Sequence, residues 1–483
     1  MPDVREGKAA DAWRGCEEAG GRAERAAGAV CQPGWKEGAS VKREDIVSLD
    51  KRHVWHPYTA MEAYIGVTDP LVVVGSEGPY LVDADGRRYL DANGSWWVST
   101  LGHRHPRLVK ALVEQAGTLA HVSLAGVTHE PAARLAAELV ALAPGAGKEG
   151  VPGGERLSRV FYVDNGSTAV EVAIKMAAQY WAQNGRPRRT RFITLSGAFH
   201  GETLGATSVG GVPAFRDVFG PLLFDVVHVP SPSEEGGWER AFAEVERALK
   251  AFPDEVAGVI VEPVVQGAAG MQVYAPAFVR AVREATRAVD TFLIADEVFT
   301  GLGRTGARFA CELGGVVPDL LCLAKALSGG LMPFAATLAT ERVFSGFLGG
   351  RERALYYGHS YCGNPLGAAV AREVLAVYRD EDVLGQVARK APRVKAAFER
   401  MAERVPGVVR PRALGMVGAV DLGGGGYLAG GGWRVYEAAR RRGLYLRPLG
   451  DTVYISPALN IPEDALEALL SGVEESLREA AAG

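Results

Sequence analysis

The stretch Arg159-Val-Phe-Tyr-Val163-Asp-Asn-Gly-Ser167 joins a short apolar run to a polar turn. Apolar residues then recur at the spacing of one helix face, at Ala169, Val170, Ala173, Ile174 and Ala177. This pattern predicts a strand, a turn and a helix in succession. Further apolar runs of strand type occupy residues 258–261 and 291–295. Because strand-like and helix-like patterns alternate between residues 106 and 375, we predict an α/β fold with a mostly parallel sheet and helices on both faces.

The composition narrows the classes of protein that these 483 residues can form. Hydrophobic residues make up 48% and charged residues 23%, which are ordinary values for a globular protein. With 53 basic and 57 acidic residues the net charge is −4, so we expect no nucleic-acid partner. No apolar stretch reaches the ~18 residues of a membrane span, so we expect no membrane partner. Five cysteines in so long a chain do not make a disulfide framework, which favours a reducing, cytoplasmic location.

Changes in composition and in apolar patterning along the chain predict four segments. Residues 1–44 are rich in Ala, Gly, Glu and Arg, and we expect a disordered extension or the product of a misplaced start site. Residues 45–93 contain short apolar runs bounded by Gly and Pro, and are expected to be the N-terminal part of a small domain. Residues 94–375 form the large domain in this prediction. Residues 376–483, mostly helical in pattern with a late strand at 453–456, complete the small domain.

Two carboxylates end one of the predicted buried strands, in Phe292-Leu-Ile-Ala-Asp296-Glu297. Ligands of parallel α/β sheets bind outside the carboxyl ends of the strands. A carboxylate that loses water there costs several kcal/mol unless it meets a cation. Asp296 is therefore a candidate site residue, and the alternative is an ordinary strand-end acid that faces solvent.

A lysine follows the next apolar run, in Cys322-Leu-Ala-Lys325-Ala-Leu-Ser-Gly-Gly330. Buried lysines are rare unless they are paired, and desolvation lowers the pKa towards that of a nucleophilic amine. A Schiff base would replace the buried ammonium altogether. The alternative is a lysine held by a salt bridge or extended to solvent.

The turn Asp164-Asn-Gly166-Ser167-Thr168 offers free N–H groups at a helix start, where phosphate binds. Taken alone, the same residues are typical of a helix cap. Combined with Asp296 and Lys325, they form the set that pyridoxal 5'-phosphate needs. The phosphate lies at the helix start, the lysine holds the aldehyde, and the acid keeps the ring nitrogen protonated.

Longer motifs surround these residues: Gly197-Ala-Phe-His200-Gly-Glu-Thr203, Glu262-Pro-Val-Val-Gln-Gly267, Ala295-Asp-Glu-Val298, Gly301-Leu-Gly-Arg304-Thr-Gly306 and residues 318–325. From roughly residue 48 onwards the chain resembles the class III (omega) aminotransferases, which are pyridoxal-phosphate enzymes of fold type I. The resemblance implies a large cofactor-binding α/β domain, a smaller α/β domain and ping-pong transamination. It also implies a homodimer.

The resemblance assigns expected roles at the cofactor. Lys325 is expected to form the Schiff base and to move the substrate proton, and Asp296 to pair with the ring nitrogen. The other expected cofactor-binding residues are Gly166 and Ser167 at the phosphate, Phe199 on the ring, His200 in support of its turn, and Ser360 at the phosphate of the neighbouring subunit.

Four stretches resemble one branch of the family, which aminates 8-amino-7-oxononanoate in biotin synthesis with S-adenosylmethionine as donor. They are Trp55-His-Pro-Tyr58-Thr-Ala-Met61, Gly94-Ser-Trp96-Trp97, Cys322-Leu-Ala-Lys325-Ala-Leu and Leu446-Arg447-Pro448. In that branch Arg447 is expected to bind the substrate carboxylate. Tyr58, Trp96 and Trp97 are expected to line the pocket for the apolar chain. The division is physically reasonable because arginine binds carboxylates bidentately and indoles supply apolar wall.

Two departures leave alternatives open. Phe199 stands where the branch often has Tyr, and Glu202 where it often has Asp. Both are expected near the substrate, so the amino donor remains open between S-adenosylmethionine and lysine. A second reading is another omega-aminotransferase that acts on ornithine, diamines or β-amino acids. A third is a protein that binds the cofactor without catalysis.

Two other patterns carry less weight. Gly301-Leu-Gly-Arg304-Thr-Gly306 matches a dinucleotide fingerprint, but it does not lie in a tight turn between a strand and a helix. Arg304 is expected to orient the substrate or a loop. His103-Arg-His105 has no acid or cysteine cluster at metal-ligand spacing, so we expect no metal.

Overall fold

The computed structural model describes residues 42–147, 155–423 and 430–482. The predicted extension, residues 1–44, lies outside the described residues except at its end, where a helix begins at Arg43. The chain divides into two compact units, Met1–Val72 and Val73–Gly483. The predicted domain bounds at residues 93/94 and 375/376 stay a prediction.

The described part of the first unit, residues 42–72, consists of two helices, α1 (Arg43–His53) and α2 (Met61–Gly66). Asp50 joins them, since its carboxylate accepts hydrogen bonds from Tyr64 Oη at 2.6 Å and from His56 Nε2 at 2.9 Å. Tyr58 lies in the connection with a φ of 51° and is partly exposed.

The second unit contains the remaining elements. The strands are β1 (Val73–Glu77), β2 (Tyr80–Asp83), β3 (Arg88–Asp91), β4 (Leu157–Val163), β5 (Arg191–Leu195), β6 (Val226–Val229), β7 (Val256–Val261), β8 (Val265–Gln266), β9 (Gln272–Val273), β10 (Phe292–Asp296), β11 (Leu320–Leu323), β12 (Ala335–Thr340), β13 (Val409–Leu414), β14 (Val417–Asp421), β15 (Leu444–Tyr445) and β16 (Thr452–Ile455). The helices are α3 (Pro106–Thr118), α4 (Glu130–Leu142), α5 (Gly166–Gln183), α6 (Leu204–Ser208), α7 (Pro213–Arg216), α8 (Gly237–Ala251), α9 (Pro276–Ala288), α10 (Glu341–Ser345), α11 (Pro365–Asp380), α12 (Val383–Arg404), α13 (Gly431–Arg441) and α14 (Glu463–Ala482). Short helical turns occur at Gly94–Trp97, Asp217–Leu222, Ala310–Gly314, Lys325–Ser328 and Arg351–Arg353.

The main sheet has seven strands in the order β4-β12-β11-β10-β7-β5-β6. Strand β12 runs antiparallel to both of its neighbours, and the other pairs are parallel. The predicted mostly parallel sheet is therefore confirmed. In the register of β10 and β11, Asp296 lies opposite Cys322, three residues before Lys325. The two candidate residues thus leave adjacent strands at the same edge.

Both faces of this sheet are covered by apolar side chains. Along β10, Phe292 and Ile294 belong to one buried cluster, while Leu293 and Ala295 belong to another. Successive side chains of a strand point to opposite faces, so each cluster marks one face. The predicted helical face of α5 is buried against one of them. The α/β architecture with helices on both faces is confirmed.

Three smaller sheets accompany the main one, and one of them is the antiparallel pair of β8 and β9. The strands β1-β2-β3 share a sheet with β15, which runs parallel to β3, so residues 73–91 and 444–445 are joined. The strands β13-β14-β16 form an antiparallel sheet. The sequence pattern predicted only the last of these strands after residue 375. Strand β13 is missed because Arg410, Pro411 and Arg412 interrupt any apolar alternation and its first half is exposed.

Among the described residues, every helix is too short or too polar to cross a membrane.

Candidate active site

A cavity of about 570 Å³ lies at the carboxyl ends of the parallel strands. The segments that follow β4, β5, β7, β10 and β11 all reach it. The predicted site residues that line it are Trp97, Gly166, Ser167, Phe199, His200, Asp296 and Lys325. Side chains from stretches far apart in sequence are therefore collected at one edge of the sheet, as expected for a parallel α/β fold.

Lys325 begins the turn after β11 with a φ of 29° and is partly buried. Its Nζ lies 4.3 Å from the centroid of the Trp97 ring and 5.7 Å from that of Phe299. Burial lowers the pKa of this amine to about 8, although the nearby carboxylates of Asp296 and Glu262 act in the opposite direction. A larger fraction of this amine than of an ordinary lysine is therefore uncharged near neutral pH, as a nucleophilic amine requires.

Asp296, at the end of β10, is only 4% exposed. Its Oδ2 accepts a hydrogen bond from His200 Nδ1 at 2.7 Å, and its Oδ1 accepts one from the Val298 N–H at 3.0 Å. The alternative of a strand-end acid facing solvent is therefore wrong. His200 was expected to support a turn, and the structure adds that its ring orients the Asp296 carboxylate.

The segment before α5 fits both interpretations that the sequence left open. The Asn165 side chain accepts from the Thr168 N–H at 3.0 Å, which makes a helix cap. The first N–H groups of a helix, here those of Gly166 and Ser167, nevertheless have no acceptor within the helix. A Cβ on Gly166 would lie 2.7 Å from Val298 Cγ1, so only glycine allows this close approach. A capped helix start thus presents its N–H groups at the cavity.

The loop after β5 packs directly on this helix start. The Glu202 N–H donates to Ser167 Oγ at 3.0 Å. A Cβ on Gly201 would lie 2.3 Å from the same oxygen, and the φ of Gly201 is 128°. A hydroxyl that accepts such a bond keeps its own hydrogen to donate to an anion.

Glu262 is a cavity residue to which the sequence assigned no role. Its carboxylate accepts from the Phe199 N–H at 2.7 Å and from the Gly267 N–H at 2.8 Å. Burial raises its pKa to about 7, against the effects of His200 and of these two hydrogen bonds. Glu262 stands in the recognised motif at residues 262–267, but nothing local indicates that it holds Phe199.

The Trp96–Trp97 segment has an unusual backbone. After Gly94, the residues Ser95, Trp96 and Trp97 all have positive φ, at 47°, 65° and 75°. Each such L residue costs about 1–2 kcal/mol, so surrounding contacts must hold the segment. The turn separates the two indoles. Trp97 is buried beside Lys325, whereas Trp96 is 41% exposed and does not line the cavity described above.

Arg447 lies next to Trp96, outside that lining. Its guanidinium carbon is 5.4 Å from the Trp96 ring centroid and 5.6 Å from that of Trp433. Its backbone N–H donates to Asn93 Oδ1 at 2.6 Å. Trp433, on α13, was not a sequence candidate, because a single tryptophan after a glycine run carries no periodic signal. The guanidinium thus lies over two indole rings, and its side chain also interacts with that of Tyr445.

Three other predicted residues lie elsewhere. Arg304 is 1% exposed and donates from Nη1 to the carbonyl of Pro457 at 2.7 Å, contacts that suit a loop-orienting residue. Burial lowers its pKa to about 10. Ser360 is exposed in the loop before α11, and Tyr58 belongs to the first unit. Their roles towards substrate or cofactor stay predictions.

Relatives with an assigned activity match almost the whole chain. The chain is 44% identical over 437 residues to the adenosylmethionine-8-amino-7-oxononanoate aminotransferase of Synechococcus elongatus, covering 88% of this chain and 99% of that protein. The protein of the same name from Geobacter sulfurreducens is 39% identical over 453 residues, with 90% and 97% coverage.

Solved structures that resemble this chain are also aminotransferases. The adenosylmethionine-8-amino-7-oxononanoate aminotransferase of Methanocaldococcus jannaschii superposes with a TM-score of 0.84 at 34% identity, covering 91% of this chain and 99% of that chain. A PLP-bound amine transaminase from an uncultivated Pseudomonas species superposes with a TM-score of 0.82 at 32% identity, covering 89% and 99%.

The family description "Aminotransferase class-III" matches residues 64–477. That span includes the whole cavity lining together with Arg447 and Trp433. The resemblance of the sequence motifs to class III aminotransferases and the observed α/β fold both agree with this family match. This chain belongs to the class-III aminotransferase family.

Proposed function

We propose that this chain catalyses the pyridoxal-phosphate-dependent transamination of 8-amino-7-oxononanoate to 7,8-diaminononanoate in biotin synthesis, with S-adenosylmethionine as the amino donor. The observation that carries the proposal is the meeting of Lys325, Asp296 and the start of α5 in one cavity. Relatives named for this activity, at 34–44% identity over most of the chain, supply the substrate class.

The residues present fit pyridoxal phosphate. The cavity of about 570 Å³ lies within the usual range for small-molecule sites. Gly166 and Gly201 stand where any Cβ would meet Val298 or Ser167, so backbone N–H groups reach the cavity wall where a phosphate would bind. Asp296 offers a buried carboxylate to a protonated ring nitrogen, and Lys325 offers an amine to an aldehyde.

Pyridoxal phosphate, when bound, supplies a ring that accepts electrons from the substrate carbon and carries the amino group between donor and acceptor. Lys325 Nζ would hold the aldehyde carbon and would move the proton at the substrate carbon, for which its lowered pKa suits it. The Asp296 carboxylate, oriented by His200, would keep the ring nitrogen protonated. Phe199, whose backbone N–H is held by Glu262, would cover the ring.

The acceptor site uses three indoles, those of Trp96, Trp97 and Trp433, together with Arg447. Trp97 forms an apolar wall beside Lys325 and limits water at the reacting amine. Arg447 binds the carboxylate of the oxononanoate in a bidentate manner, and Trp96 and Trp433 hold its guanidinium plane. An acceptor with a terminal carboxylate and an apolar chain is therefore favoured over a simple diamine.

We further propose a homodimer in which Ser360 reaches the phosphate of the neighbouring subunit. Ser360 is exposed and is not among the described residues that line the cavity of its own chain. Tyr356 and Tyr361 beside it are 77% and 60% exposed, as expected for residues that another chain covers. The free thiols of Cys311, Cys322 and Cys362 suit a reducing, cytoplasmic location.

The experiment compares donors and acceptors on the purified holoenzyme. Amination of 8-amino-7-oxononanoate is measured with S-adenosylmethionine and with lysine in parallel, and ornithine and a diamine are offered as alternative substrates. Product formation with S-adenosylmethionine supports the proposal. Turnover of ornithine or the diamine with none of the oxononanoate would replace it with another omega-aminotransferase activity. Borohydride reduction should leave the cofactor on Lys325, and a label on any other lysine contradicts the site.

A further inference from the structure

Asp91 and His103 lie behind the Trp96–Trp97 turn. Asp91 ends β3 and is 2% exposed. Its Oδ2 accepts a hydrogen bond from Ser95 Oγ at 2.7 Å and another from His103 Nε2 at 2.9 Å. A single buried carboxylate oxygen therefore ties the first residue of the left-handed turn to an imidazole from a different segment.

The turn needs such contacts to persist. Ser95 is the first of three consecutive L residues with positive φ, a conformation that such residues leave when nothing holds them. Asp91 anchors the turn at Ser95. At the other end, Trp97 Nε1 donates to Tyr454 Oη at 3.0 Å.

The imidazole of His103 is itself held in place. The His103 N–H donates to the Gly78 carbonyl at 2.6 Å, and the Gly78 N–H donates back to the His103 carbonyl at 3.2 Å. A Cβ on Gly102 would lie 2.9 Å from the same Gly78 oxygen, so the segment fits closely against the turn between β1 and β2. His103 thus approaches Asp91 from a fixed backbone.

We propose that Asp91 and His103 are positioning residues that hold the Trp96–Trp97 turn and thereby fix the spacing between the transfer point and the carboxylate site. The inference rests on the proposed function. Trp97 lies 4.3 Å from Lys325 Nζ, and its neighbour Trp96 lies 5.4 Å from the Arg447 guanidinium. One turn therefore touches both ends of the acceptor site, and its relaxation alters both contacts at once. The turn thereby sets the length of the acceptor chain that fits between Lys325 and Arg447.

The chain offers a matched control two residues away. His105 Nε2 pairs with Glu381 at 3.2 Å, and its side chain is 11% exposed, against 15% for His103. Both histidines hence bind a carboxylate and are similarly buried themselves, although Glu381 is 35% exposed and Asp91 only 2%. Only His103 binds the carboxylate that holds Ser95.

The test uses holoenzyme carrying His103→Ala, Ser95→Ala, His103→Gln or His105→Ala. Loss of one hydrogen bond to a carboxylate should raise the KM for 8-amino-7-oxononanoate by about tenfold in the first two variants. The KM for the amino donor should change less, and oxo acids one or two carbons shorter should gain relative to the natural acceptor. His103→Gln should restore the wild-type values because its amide N–H can replace the Nε2 donor. His105→Ala should behave as wild type.

A second readout does not depend on activity. Near-ultraviolet circular dichroism of the cofactor-free enzyme reports the packing of the indoles, and it should change in His103→Ala and Ser95→Ala but not in His105→Ala. If His103→Ala does not fold, Ser95→Ala carries the test, since it removes only a partly exposed hydroxyl. Identical behaviour of His103→Ala and His105→Ala in an enzyme whose wild type aminates oxononanoate overturns this inference alone. A wild type that does not aminate it overturns the proposed function instead.

Discussion

His200 Nδ1 lies 2.7 Å from Asp296 Oδ2, and the two side chains are almost entirely out of water. The other ring nitrogen of His200 is 3.4 Å from Thr194 Oγ1, so the imidazole is held from both sides. A carboxylate fixed in this way cannot turn towards another partner. Because Asp296 also lines the cavity, a positive charge that enters there meets a carboxylate of fixed orientation.

Asp296→Asn should lower kcat by about 10²- to 10³-fold, which is typical of removing one preorganised electrostatic group. The amide keeps the shape but loses the charge that would keep a ring nitrogen protonated. Single-turnover kinetics with the amino donor measures the loss. Glu297→Gln is the matched control at the same strand end, because Glu297 accepts from the N–H groups of Ala310 and Cys311. That variant should lower the melting temperature rather than the transfer rate, and equal loss of rate in both variants would contradict the role of Asp296.

The sequence alone predicts those site residues that a local pattern marks. Asp296 and Lys325 follow apolar runs of buried-strand type, and the parallel topology brings the two strand ends together. The left-handed turn at 95–97 could not be predicted, since no pattern of L residues specifies positive φ. Glu262 and Trp433 were missed because their partners, Phe199 and Arg447, come from distant or unpatterned stretches.

Trp97→Ala should shift the pH dependence of reconstitution with pyridoxal phosphate to higher pH. Reconstitution needs the uncharged Lys325 amine, so the wild-type rate should rise with pH to a midpoint near its pKa of about 8. Removing the indole admits water, which favours the ammonium and moves the pKa towards the ordinary 10.5. The lost cation–π attraction, worth about 0.5–2 kcal/mol, acts in the other direction. Desolvation is the larger effect, because the pKa is lowered despite the indole.

Absorbance of the bound cofactor follows the reconstitution rate across the pH range. Trp96→Ala is the control, since Trp96 contacts Arg447 and is 41% exposed. Its midpoint should remain near that of the wild type. A midpoint that moves equally in both tryptophan variants would show that Trp97 has no special relation to the amine.

Arg447→Ala should raise the KM for 8-amino-7-oxononanoate by about ten- to hundredfold, the range for losing a charge-assisted hydrogen bond. The KM for the amino donor should change much less. Arg447→Lys should recover only part of the loss, because a lysine keeps the charge without the planar bidentate fork. Trp433→Ala should give a smaller rise of the same kind, since it frees one face of the guanidinium. Steady-state kinetics with each substrate varied in turn measures both KM values. An equal rise of the KM for donor and acceptor would refute the role of Arg447 as the carboxylate-binding residue.

Glu262→Gln should change how stability depends on pH. The pKa of Glu262 is raised by burial from 4.5 to about 7 in the folded chain. The folded state thus binds more protons than the unfolded state between these values, and this contribution is complete below about pH 4.5 and lost as pH rises through 7. The free energy of unfolding of the wild type, relative to the variant, should fall by roughly 3 kcal/mol across that window.

The glutamine amide keeps one acceptor oxygen, so either the Phe199 or the Gly267 N–H loses its acceptor and adds a constant penalty to the variant, which pH does not alter. Urea unfolding of the cofactor-free enzyme at several values between about pH 5 and pH 8 separates the two effects. Glu114→Gln, at an exposed carboxylate, serves as the control and should show a flat difference. If the difference between wild type and Glu262→Gln is also flat, Glu262 is ionised throughout and its buried charge is compensated by His200 and the two N–H donors.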